Sequence, residues 1–185
     1  MPIPDRLASA VDAARSTGAV RRARVATVVD LSASMYPWIA SGILADVLTA
    51  MQAVAGAAQR ASMSTRFLPD GTDLEIALDA EPGTELQEHL RAVGLRTGDR
   101  DRLVQALTGP ATGSGGGSET VTLVVSDDPS LAAQAGPGTT AVIVGADPGD
   151  RMVGGDHAVA VGGGPVDVPR LARELAQRCF TTERR

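Results

Sequence analysis

Residues 24–58 read RVATVVDLSASMYPWIASGILADVLTAMQAVAGAA, and this stretch decides the fold. Arg24 to Asp30 is a short β-branched run suited to a central strand buried on both faces. After Pro37, the residues Ile43, Leu44, Val47, Leu48, Met51, Val54, Ala55 and Ala58 recur at helical spacing over about four turns. One long helix therefore follows the first strand, and the loop from Leu31 to Tyr36 joins them.

Working outward, the same alternation continues. Ser64 to Leu68 and Asp73 to Asp79 are short strand candidates split by Pro69, Asp70 and Gly71, a turn signal that predicts an antiparallel hairpin and a sheet edge. Glu85 to Val93 and Arg102 to Leu107 read as helices, Val121 to Ser126 as a second buried strand, and Pro129 to Ala135 as a short helix. Thr140 to Val144 and His157 to Val161 add two strands, and Val168 to Phe180 closes as a helix with Leu171, Leu175 and Cys179 on one face. Upstream, residues 4–17 form a short amphipathic helix stopped at Gly18. The expected fold is α/β and Rossmann-like: a mainly parallel sheet with one antiparallel edge strand and helices on both faces. Residues 1–20 are expected to be an N-terminal helical extension, and residues 21–185 one domain.

Composition limits the chemistry. The chain has 185 residues, 43% of them apolar, and a net charge of −5, the profile of a mildly acidic soluble globular protein with no nucleic-acid partner. All 17 basic residues are arginine, and lysine and asparagine are absent. That excludes a Walker-type phosphate loop, a Schiff-base nucleophile and a Ser-Lys dyad. The lone thiol, Cys179, forms no internal disulfide and is expected to behave as a small buried hydrophobe. Charges at Asp5, Arg6, Asp12 and Arg15 break any signal-like apolar stretch, and no later run reaches the roughly 18 apolar residues of a membrane span. A cytoplasmic protein with no membrane partner is the expectation. His89 and His157 have no zinc-type companions and are assigned structural or solvent roles. Gly113 to Gly117 neither follow a strand nor open a helix, so they are not a dinucleotide fingerprint.

Ligands of open α/β sheets sit at the carboxyl ends of strands, which draws attention to the loops at Asp30, Asp127 and Asp147. At Asp30 a carboxylate is followed by hydroxyls two and four residues later, Ser32 and Ser34. In an extended loop that spacing turns three hard oxygens to one side, a set suited to Mg²⁺, Mn²⁺ or Ca²⁺. The alternative is that Asp30 or Ser32 caps the following helix.

An apolar strand, Asp-x-Ser-x-Ser at its end and then a long amphipathic helix resembles the metal-ion-dependent adhesion site (MIDAS) of von Willebrand factor type A (vWA) domains, and the order of elements is similar over roughly residues 20–180. The resemblance implies a cation held by Asp30, Ser32 and Ser34, by a later threonine position, and by Asp127, where VTLVVSD matches the family's strand ending in Thr-Asp-Gly. Ser126 and Asp128 replace the threonine and glycine. At the later threonine position Asp101 stands in the family register, with Asp99 and Thr97 as alternatives two and four residues earlier, and Asp101 could instead be only a helix cap. MYPWIASG, residues 35–42, is similar to cytoplasmic bacterial members associated with tellurium resistance and stress, which implies a tellurium-resistance-type protein or an AAA-type ATPase as partner.

The leading expectation is a non-enzymatic module in which the cation binds an acidic residue of a protein partner, so that Asp30→Ala abolishes partner binding with the fold intact. Two others compete with it. One is a scaffold with a decayed site that binds through Tyr36 and Trp38; the other is a Mg²⁺-dependent phosphohydrolase using Asp30 or Asp127, which lacks a second aspartate and a lysine.

Overall fold

The computed structural model describes residues 5–108, 119–147 and 155–180. Its elements are α1 (Asp5–Arg15), β1 (Arg24–Asp30), a 3₁₀ turn (Ala33–Met35), α2 (Tyr36–Ala40), α3 (Ile43–Ala57), β2 (Ser62–Leu68), β3 (Thr72–Ala77), α4 (Pro82–Val93) and α5 (Arg100–Thr108). There follow β4 (Thr120–Ser126), a second 3₁₀ segment (Pro129–Gln134), β5 (Thr139–Val144), β6 (Ala158–Val161) and α6 (Val168–Phe180). The glycines 113–117 lie outside the described residues.

Six strands form one sheet in the order β3-β2-β1-β4-β5-β6. All neighbours are parallel except β2 and β3, the edge hairpin. The expected Rossmann-like α/β fold, with one antiparallel edge strand, is the observed one. Edge strand β3 turns Asp73 and Glu75 outward, charges that discourage edge-to-edge pairing.

Strand alternation sorts the core into two parts. Val25, Val29, Met63, Phe67, Leu123, Val125 and Val142 face α3, α1 and α6 in the larger cluster, and Val28, Leu68, Val124, Ala141 and Ile143 meet Leu103, Leu107 and Leu131 in the smaller one. Twelve of the fifteen residues of α3 are buried, because the helix lies between the sheet and α1, α4 and α6. Its one fully buried polar side chain, Gln52, donates from Nε2 to the carbonyls of Ala77 (2.7 Å) and Ala80 (2.9 Å), which ties α3 to the turn after β3. Helix α1 contributes Leu7, Ala10, Val11 and Ala14 to the larger cluster, so the N-terminal helix is part of the main core.

His89, placed by its sequence context on a polar helix, is buried. Its ring stacks on Phe67 at a centroid distance of 4.3 Å, and Nε2 lies 3.2 Å from Asp70 Oδ2, so α4 packs against the β2–β3 turn at this residue. Cys179 is buried beside Thr140, Sγ to Oγ1 3.4 Å, and burial pushes its thiol up to about 12. Among the described residues no single helix is long and apolar enough to cross a membrane.

Candidate metal centre

β1 ends at Asp30, and its parallel pairing with β4 sets Val29 beside Val125, which brings Ser126 next to Asp30 across 96 positions of sequence and Asp127 to the same end of the sheet. The Asp30 carboxylate is 4% exposed and fixed at both oxygens. Ser126, fully buried, donates its hydroxyl to Oδ2 at 2.7 Å, and the Ser32 backbone N–H donates to Oδ1 at 2.9 Å. The second bond is the local aspartate turn that folds the chain back over a strand end.

That turn presents the two hydroxyls. Ser32 Oγ and Ser34 Oγ lie 3.0 Å apart, and Ser34 Oγ donates to Asp127 Oδ1 at 3.0 Å. Ser32 is the cap residue of the 3₁₀ turn by backbone conformation, yet its side chain makes no capping bond. The hydroxyl is directed to Ser34 instead, so the capping alternative does not describe Ser32.

The third wall is the segment before α5. Ala33 N–H donates to the Arg96 carbonyl (2.9 Å) and Arg96 N–H to the Leu31 carbonyl (3.3 Å), a short parallel bridge between Ser32 and Arg96. Gly98 rests on Ser32 so closely that a Cβ there would lie 3.1 Å from the Ser32 Cβ. Together these loops border an open cavity of about 410 Å³ lined by Asp30, Ser32, Ser34, Thr97, Asp99 and Asp127, with Arg96 and Arg100 also on its walls.

The three alternatives for the third-loop ligand separate here. Asp101 is exposed in the first turn of α5 and is absent from the cavity wall. Asp99 lines the cavity but caps α5, with Oδ1 accepting from Arg102 N–H (3.1 Å) and Oδ2 3.2 Å from Arg102 Nε. Thr97 lines the cavity and is exposed. The physical reason is local: α5 begins at Arg100, one residue before Asp101, so Asp101 is already wound into the helix.

Asp128 also lines the cavity, but its carboxylate is engaged by Arg100 and Ser130. Burial raises its carboxyl, but hydrogen bonds from the Ser130 hydroxyl and N–H and from Arg100 outweigh that and hold it below the usual carboxylate range. Arg100 Nε is 3.1 Å from Asp128 Oδ2 and Arg100 Nη2 2.9 Å from Ser130 Oγ.

Neither histidine belongs to the site, and among the described residues no three of His, Cys, Asp and Glu cluster as a metal-binding group. The donors gathered here are two carboxylates and two or three hydroxyls. A set made only of hard oxygens fits Mg²⁺, Mn²⁺ or Ca²⁺ and does not fit zinc or copper. A larger cavity of about 890 Å³ lies over the open face of β1–β3, where the charges pair off as Arg66 with Asp73 (2.7 Å) and Arg24 with Glu75 (3.9 Å).

The aromatics of the following loop divide. Tyr36 is 62% exposed. Trp38 is partly buried against the larger cluster, its indole lying over Gly145 at the end of β5 and near Gly163.

Sequence reasoning missed Arg96 and Gly98 on the site wall. The Arg-Thr-Gly-Asp run carried a turn signal, but nothing in it announced contact with Ser32. No protein-family model matches the chain, and no curated protein or solved structure matches it.

Proposed function

We propose that this chain is a vWA-type interaction module that holds a divalent cation at a MIDAS-type site and binds an acidic residue of a protein partner. One observation carries the reading: Ser34 Oγ meets Asp127 Oδ1 at 3.0 Å, so an oxygen-only donor set from sequence-distant loops converges at the strand ends. The sheet, mainly parallel with one antiparallel edge strand, supports it as well. Asp30, Ser32, Ser34 and Asp127 would hold the ion, with Thr97 as the third-loop donor in place of Asp101. The cation would supply a Lewis-acidic position for a carboxylate, and no nucleophile or general base is required. A tellurium-resistance-type protein or an AAA-type ATPase is the partner class in this reading, and the cytoplasm its setting.

The test is calorimetric titration of the EDTA-stripped protein with Mg²⁺, Mn²⁺ and Ca²⁺ beside Asp30→Ala and Asp127→Ala. One saturable site in the wild type, lost in both variants, is expected. A wild type that binds none of the three ions refutes the reading.

The metal-independent scaffold has one observation in its favour: the same oxygens satisfy one another through Ser126, Asp30, Ser32, Ser34 and Asp127. Partner capture that persists in EDTA would select it.

A further inference from the structure

We infer that Arg96 is a second anchor for the acidic partner, which therefore presents two carboxylates: one to the cation loops and one to the Arg96 guanidinium. The inference rests on the interaction-module reading above for the first carboxylate only.

Three features of Arg96 point the same way. It lines the cavity that holds Asp30, Ser32, Ser34 and Asp127. Its backbone is hydrogen-bonded to Leu31 and Ala33, on either side of Ser32, so it keeps a fixed place relative to the donor loop. Its side chain is exposed and makes no hydrogen bond or ion pair among the described residues. The neighbouring arginines are engaged, Arg100 with Asp128 and Ser130, and Arg102 with Asp99 and the Pro69 carbonyl.

The sign of the charge decides what Arg96 recognises. An arginine lining a cation site repels the cation and attracts an anion, so its contribution there is to an anionic ligand. Its planar fork matches a carboxylate through two parallel hydrogen bonds, a geometry an ammonium lacks.

The test uses the full chain and synthetic blocked peptides carrying either one aspartate or two aspartates separated by one to three glycines. Affinities are measured with and without Mg²⁺, and Mg²⁺ is titrated separately with no peptide present. In the wild type the best two-aspartate peptide is expected to bind about fivefold tighter than the one-aspartate peptide, the upper range for an exposed ion pair. Arg96→Gln removes that preference while Mg²⁺ affinity stays the same or rises, because a repelling charge is gone. Arg96→Lys restores only part of it. Loss of Mg²⁺ affinity in Arg96→Gln, an unchanged peptide preference, or no peptide binding by the wild type overturns the proposal. If the wild type takes no Mg²⁺ yet keeps an Arg96-dependent preference, the cation reading fails and the Arg96 assignment stands.

Discussion

Replacing Gly145 by alanine tests whether Trp38 is a packing residue or a contact for partners. Gly145 has φ +82°, and a Cβ there would lie 2.4 Å from Trp38 Cζ2 and 2.8 Å from Cη2. The left-handed backbone costs a non-glycine residue about 1 kcal/mol. Forcing the indole aside adds about 1–3 kcal/mol, the range for overfilling a packed site. Gly145→Ala is therefore expected to lose roughly 2–4 kcal/mol. Gly163→Ala is the control, since its Cβ would stand 3.7 Å from Trp38 Cζ3, an ordinary contact. Urea unfolding followed by fluorescence reads the perturbed site directly, because Trp38 is the only tryptophan in the chain. Circular dichroism on the same samples checks that the transition is global. A loss below about 0.5 kcal/mol, the ordinary surface range, would refute the reasoning. The indole would then be free to leave Gly145, and the partner-contact role would return to Trp38.

Three further outcomes are expected. Asp30→Ala abolishes cation binding and also lowers stability by about 1–3 kcal/mol, because the buried Ser126 hydroxyl and the Ser32 N–H lose their acceptor; an unfolding midpoint equal to wild type would contradict this. Mg²⁺ at a hundred times its dissociation constant stabilises the wild type by about 2.7 kcal/mol, and in thermal melts the gain persists in Asp101→Ala but falls in Thr97→Ala and vanishes in Asp127→Ala, whereas loss of the gain in Asp101→Ala would return that residue to the ligand set. Cys179, its thiol pushed up to about 12 by burial that the Thr140 contact only partly offsets, carries almost no thiolate at pH 8; labelling by a thiol reagent should keep pace with unfolding in urea, and rapid stoichiometric labelling of the native protein would oppose it.

The Asp30→Ala outcome refines what the sequence implied. Read along the chain, Asp30 is a strand-end carboxylate whose removal affects only the site. In the fold its two oxygens close the loop as well, so site and stability are coupled there. His89 is a similar case: its sequence context leaves a structural and a solvent role open, and the β2–β3 turn that brings Phe67 and Asp70 against it selects the structural one. Thr97, Asp99 and Asp101 differ by two-residue steps, and choosing among them required knowing where α5 starts, the least legible feature of a sequence.

The sequence by itself determined the strands and the long helices, though not the short α2, together with the antiparallel edge hairpin and the Asp-x-Ser-x-Ser loop, because these depend on side-chain period and turn chemistry within a few residues of one another. Tertiary structure alone decided that Ser126 locks Asp30, that Gly98 lets the 95–99 segment rest on Ser32, and that Arg96 stands on the wall of the cavity. Those contacts join residues from 64 to 96 positions apart, and they exist only because parallel pairing of β1 with β4 and the bridge at Ser32 fix the register between loops that share no local signal.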